Sequence, residues 1–124
     1  MKLVFTNDEQ ICISYLVQCL IKADGLISPE ENVCWNTIAI KFGWPESEHI
    51  LIAEGYELSN ALSVLVLMDV DKKRFAIAFF KMIIMADQQI APEEMDLLEE
   101  IIRGGMLPEI HVAECATILD EYLN

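Results

Sequence analysis

Basic residues, paired cysteine motifs and long apolar runs are all scarce or missing in this sequence, and each lack closes a class of function. Lys and Arg number 8 against 21 Asp and Glu, giving a formal charge of −13 at pH 7. A surface so negative repels nucleic-acid phosphates and anionic lipid headgroups, so no nucleic-acid partner is expected. The four cysteines, Cys12, Cys19, Cys34 and Cys115, form no CxxC pair and lie in apolar helical pattern. They read as reduced core residues rather than a disulfide framework. Cys12 and Cys19 are two helical turns apart, roughly 10 Å along the axis, too far to bridge. His111 and Cys115 share a helix face at i, i+4, which is half of a zinc site with no second pair to complete it. The longest apolar run, Phe75 to Ala86, contains Lys81 and falls well short of the roughly 20 residues that cross a bilayer. It reads as a core helix, and no membrane insertion is expected. Near the N-terminus, Asn7, Asp8 and Glu9 interrupt any signal-peptide core, so a cytoplasmic location is expected.

What is present is a packed helical globule. The chain has 124 residues, 54% hydrophobic and 23% charged, enough for one core in a single domain over residues 1–124. Thr6-Asn-Asp-Glu9 is a capping box that opens a first helix with apolar stripe Ile11, Cys12, Tyr15, Leu16, Cys19 and Leu20. That helix stops at Asp24-Gly25. Ser28-Pro-Glu-Glu31 restarts the chain with Ser at the N-cap and Pro at the first helical position. Trp35, Ile38, Ala39 and Phe42 form the second helix's inner face, Gly43 ends it, and Pro45 opens a third helix through about Tyr56. Leu58 to Met68 is a weaker signal, because its Leu-Ser-Val-Leu-Val-Leu-Met stretch also admits a strand, but no partner strand is apparent, so a helix is preferred. A long helix follows from Lys72 to Ala86 with stripe Phe75, Ala76, Phe79, Phe80, Ile83 and Ile84, the expected centre of the core. Ala91-Pro-Glu-Glu94 opens the next helix, Gly104 and Gly105 end it after Arg103, and Pro108 starts the last. The expectation is an all-α fold, about seven helices in one orthogonal bundle.

Two helix junctions repeat each other. Lys22-Ala-Asp-Gly-Leu-Ile-Ser-Pro-Glu-Glu31 and Met85-Ala-Asp-Gln-Gln-Ile-Ala-Pro-Glu-Glu94 match at six of ten positions. The recurrence predicts internal duplication about a pseudo-twofold axis. Capping and the helix macrodipole account for roughly one carboxylate per helix start. Here Asp24, Glu30 and Glu31 gather in one loop (22–31), and Asp87, Glu93, Glu94 and Asp96 around the other (85–94). If the loops lie side by side, their repulsion favours a hard cation such as Ca²⁺ or Mg²⁺ held by oxygen ligands. The loop is not an EF-hand: from Asp24 the ligand positions fall on Leu26 and Ser28, with no Gly at the sixth place.

The string Ala23 to Glu31, its echo at Ala86 to Glu94, and Asp71-Lys-Lys-Arg74 between them resemble the tellurite-resistance TerB family and the related helical domain of the DjlA type of membrane co-chaperone. The resemblance spans about Asp8 to Leu123. It implies an all-α fold of paired helices whose acidic loop residues cluster on one face and bind divalent metal or partner proteins. The matching positions are Asp24, Gly25, Ile27 and Glu31 in the first loop and Asp87, Ile90 and Glu94 in the second. Gln88 stands where that pattern has Gly, and a left-handed turn there would cost about 1 kcal/mol.

The functional expectation is therefore a non-enzymatic TerB-like acidic domain. Its metal positions would be Asp24, Glu31, Asp87 and Glu94, its ligand a divalent cation and/or a protein partner, with a link to tellurite or stress response. The alternative is a metal-free adaptor, monomer or homodimer, that docks a basic partner. A carboxylate-based hydrolase is a remote third, because the acidic clusters sit at helix starts where capping explains them. An acyl carrier is excluded by the lack of an Asp-Ser-Leu attachment site. Glu93, Glu94, Asp96, Glu99 and Glu100 read as a solvated helix face. Trp35 and Trp44 read as core, with Trp44 partly exposed beside Pro45. Lys72-Lys-Arg74 is the one basic cluster, suited either to pairing with acids at a helix start or to a small contact patch, and too small for a nucleic-acid site.

Overall fold

The computed structural model describes residues 3–23, 29–44, 54–86 and 91–123. These residues hold six α-helices: α1 (Asn7–Lys22), α2 (Pro29–Phe42), α3 (Leu58–Leu67), α4 (Val70–Met85), α5 (Pro92–Gly105) and α6 (Val112–Leu123). No strand occurs among them, so the all-α expectation holds. The helix expected from Pro45 through about Tyr56 lies mostly outside the described residues, and of its last positions Glu54 and Gly55 form a turn and Tyr56 is not helical. None of the described helices is long and apolar enough to cross a membrane.

Local chemistry sets where the helices begin. The Thr6 hydroxyl accepts from the Glu9 N–H at 3.2 Å, while Glu9 Oε1 accepts from the Thr6 N–H at 2.8 Å, completing the capping box. Asp69 caps α4 by accepting from the Lys72 N–H at 2.9 Å. At α3 the Asn60 side chain accepts from the Glu57 N–H at 2.8 Å. That cap, with packing of α3 on α1 and α5, overrides the β-branched composition, since propensity is a weak prior against tertiary burial.

α4 is the axis of the core and packs on α1, α2, α5 and α6. Its Phe75, Phe79 and Phe80 are fully buried, each contributing roughly 1.5–3 kcal/mol by leaving water. Aromatic side chains from elsewhere gather on them. Trp35 of α2 stacks on Phe79 with ring centroids 5.6 Å apart, and Phe42 meets Phe75 edge-on at 5.0 Å. Phe5, just before α1, touches Phe42, Trp44 and Phe75, each at 5.4 Å. Offset and edge-on pairs at these distances are favourable geometries.

Two expected boundaries are corrected. Gly104 and Gly105 do not stop α5; both lie inside it, and Met106 adopts the left-handed conformation instead (φ 55°, ψ 46°). The glycines serve packing. A Cβ on Gly105 would lie 2.4 Å from Leu65 Cδ2, and one on Gly104 would lie 2.6 Å from Leu62 Cδ1. Likewise Pro108 does not open the last helix, which starts at Val112. Residues 107–111 form a non-helical connector pinned by the buried Leu107 and Ile110.

Helix boundaries recur along the chain at a fixed interval. The 63-residue offset between Asn7 and Val70 returns between Lys22 and Met85, Pro29 and Pro92, and Phe42 and Gly105. Buried positions follow it too. Cys12, Ile13, Ser14, Leu16, Val17, Leu20 and Ile21 in α1 have counterparts Phe75, Ala76, Ile77, Phe79, Phe80, Ile83 and Ile84 in α4, all buried. The ends of α2 and α5 share a Schellman closure. Gly43 (φ 73°) and Met106 (φ 55°) are both left-handed. The next residues, Trp44 and Leu107, donate to Ala39 and Ile102 at 2.9 and 3.0 Å.

Candidate functional site

The two acidic junctions have matching shoulders. α1 ends at Ala23 (φ −60°, ψ −34°), whose N–H donates to the Leu20 carbonyl at 3.3 Å. α4 ends at Ala86 (φ −61°, ψ −34°), whose N–H donates to the Ile83 carbonyl at 3.2 Å. α2 and α5 then each start at a proline, Pro29 and Pro92. Of the four residues expected to hold a cation, Asp24 and Asp87 lie outside the described residues. Glu31 is in the first turn of α2, with its side chain also outside them. Glu94 alone can be placed in full.

Glu94 corrects the reading of its helix as a uniformly solvated acidic face. Glu93, Asp96, Glu99 and Glu100 are exposed, but Glu94 is only 2% exposed. Helical geometry explains the difference, because Glu94, Leu98, Ile101 and Gly105 occupy the inward stripe at i, i+4, i+7 and i+11. Burial of a carboxylate is unfavourable unless it is hydrogen-bonded, paired or metal-bound. Its place in the first turn of α5 also sets it against the positive end of the helix dipole. Among the described residues, no group of three or more His, Cys, Asp and Glu converges as a metal site.

The remaining singled-out residues are structural. All four cysteines are free thiols. Burial, then the Glu9 charge, pushes the Cys12 thiol up to about 12, and burial also raises Cys19, Cys34 and Cys115. Cys115 is buried beside an exposed His111, and its thiol donates to that residue's carbonyl at 3.7 Å. Trp35 is 1% exposed and Trp44 is 8% exposed, so the partial exposure expected of Trp44 is absent. The basic cluster divides its tasks. Lys72 pairs with Glu9 at 2.7 Å. Arg74 donates to the Tyr122 hydroxyl at 3.1 Å, and that hydroxyl donates to Asp71 at 2.8 Å, clasping the end of α6 to the start of α4.

Sequence reasoning missed one concave feature. A half-open cleft of about 580 Å³ lies between α5 and the 107–111 connector, with Leu98, Ile102 and Ile110 among its apolar lining. The ammonium of Lys81, from α4, donates to the Ile110 carbonyl at this cleft. The signal was there only in part: Lys81 is the one charge inside an otherwise apolar run.

No family model matches the chain, and no curated protein matches it. The crystal structure of a protein of unknown function from Porphyromonas gingivalis is similar to it, with a TM-score of 0.80 and 23% identity over 97% of this chain and 93% of that one. At that identity the likeness shows the fold alone.

Proposed function

We propose that this chain is a non-enzymatic, internally duplicated TerB-like domain. In this reading it binds a divalent cation, Ca²⁺ or Mg²⁺, and/or a protein partner through loops 22–31 and 85–94. Asp24, Glu31, Asp87 and Glu94 are the ligand positions, and the two halves are related by a pseudo-twofold axis. The observation that carries the reading is Glu94: a carboxylate buried in the first turn of α5, at the 63-residue counterpart of Glu31. The recurrence of helix boundaries at that interval supports the duplication. The link to tellurite or stress response and the cytoplasmic location rest on sequence alone.

A cation held only by the native state stabilises it by about 2.7 kcal/mol at a hundredfold excess over Kd. Calorimetry in millimolar Ca²⁺ or Mg²⁺ is expected to raise Tm by several degrees. The rise should vanish in the Asp24→Asn, Asp87→Asn double variant. A Tm indifferent to both ions removes the metal. The formal charge of −13 favours a second reading, a metal-free adaptor that docks a basic surface, whose complex would weaken steeply with salt.

A further inference from the structure

The described residues that line the cleft between α5 and the 107–111 connector include none of the four acidic positions above, and their chemistry points to a different ligand. Met95, Leu98, Ile102 and Ile110 supply apolar lining from two separate segments. Glu99 stands on the α5 wall and Glu109 on the connector wall, both exposed. Asp96 and Glu100 of α5 and Glu114 of α6 are exposed elsewhere on these elements and add to the negative potential around the cleft. Two cations also line the cleft, but Lys81 is engaged by the Ile110 carbonyl, which leaves Arg103 at the C-terminal end of α5. An anionic amphiphile would meet acids on both walls and the −13 charge of the whole chain, which oppose its approach.

Shape narrows the choice further. Small-molecule pockets bury most of their ligand, whereas this cleft is half open and suits side chains inserted from one side. Three of the exposed large hydrophobics, Met95, Met106 and Val112, belong to α5, its cap and the start of α6, the segments that border the cleft. Methionine surfaces adapt readily to varied apolar side chains. An apolar floor between acidic walls matches a helix that carries a stripe of apolar residues flanked by Lys or Arg.

We propose that this cleft is a docking groove for a basic amphipathic helix of a partner protein. Its apolar residues at i, i+3 or i+4, and i+7 insert between α5 and the connector, and its flanking bases face Glu99 and Glu109.

The test uses a fluorescent Leu/Lys peptide of about 14 residues, four helical turns, with Leu at the stripe positions. A Leu/Glu peptide of the same pattern and laurate serve as competitors. Micromolar binding of the Leu/Lys peptide is expected, with methyl NMR shifts at Met95, Leu98, Ile102 and Ile110. Met95→Lys and Glu99→Lys, each checked for native circular dichroism, are expected to weaken binding about tenfold. Glu54→Lys, the same charge change in an exposed turn elsewhere, should leave it nearly unchanged. Asp24→Asn should also leave it unchanged, which separates this groove from the loop site. The proposal is overturned if the Leu/Lys peptide does not bind, or if Leu/Glu or laurate binds as tightly. It is also overturned by equal losses from Glu54→Lys and Glu99→Lys, or by a footprint centred on Val33 and Ile40, two exposed apolar residues of α2.

Discussion

In the first half of the chain, α1 and α2, and the second, α4 and α5, helix boundaries and buried positions recur at one interval with different side chains. Where α2 ends in Phe42, a large ring against Phe75 and Trp44, α5 ends in Gly105, which has no side chain because Leu65 occupies its place. Each end turns left-handed, but the first half does so at Gly43 and the second at Met106. The difference teaches that the shared boundaries are not dictated by the same residue types. Burial patterns at matching positions are kept, and the side chains that satisfy them vary in size, as core volume allows.

The comparison can be broken first at the glycines of α5. Gly105→Ala would place a methyl against the fully buried Leu65. It is expected to lower stability by about 1–2 kcal/mol, the overpacking outweighing a helix-propensity gain of roughly 1 kcal/mol. Gly104→Ala meets the half-buried Leu62, which can swing aside, so urea melts should show it neutral or up to about 1 kcal/mol more stable. Equal losses at both sites would show that the glycines are not distinguished by their α3 neighbours. Next come the two left-handed caps. Gly43→Ala is expected to cost about 1 kcal/mol and Met106→Gly to gain a similar or smaller amount. Opposite signs in the same denaturant series are the signature to look for.

The smallest effect concerns Glu9. Partial burial pulls its carboxyl up, but the hydrogen bond from Lys72, the Thr6 backbone N–H and the Lys72 charge outweigh it and hold it below the ordinary 4.5. A lowered native pKa stabilises the fold above the unfolded value, and that contribution is lost as pH falls through the native one. Glu9→Gln should therefore flatten the acid side of the stability profile below about pH 4.5, by less than about 1 kcal/mol. An unchanged acid limb in Glu9→Gln would mean that the Lys72 and Thr6 contacts together do not favour the charged carboxylate in solution.

Much of this fold was legible because its signals are local. The Thr6–Glu9 capping box, the proline starts of α2 and α5, the Gly43 stop and the apolar stripe of α4 involve residues within one or two turns of each other. What escaped depends on partners distant in sequence. Gly104-Gly105 looks like a stop signal until Leu62 and Leu65 are set against it. The connector at 107–111 is held by Leu107 and Ile110 in the core, where Pro108 alone suggests a helix start. The repeated junction marks Glu94 as a candidate, but its burial follows only from the phase of α5. Its neighbours share its chemistry but not its direction. The groove was invisible for the same reason, being assembled from α4, α5 and the connector.

The ion pair of Glu9 and Lys72 joins counterparts, for the two residues stand one repeat interval apart. Where positions one such interval apart touch, identical residues would confront their own charge. Here they differ in sign. Two first halves brought together in the same arrangement would set Glu9 against Glu9, and two second halves would set Lys72 against Lys72. Each half therefore fits the other better than it fits itself, and exchange of like halves between chains is disfavoured at that contact.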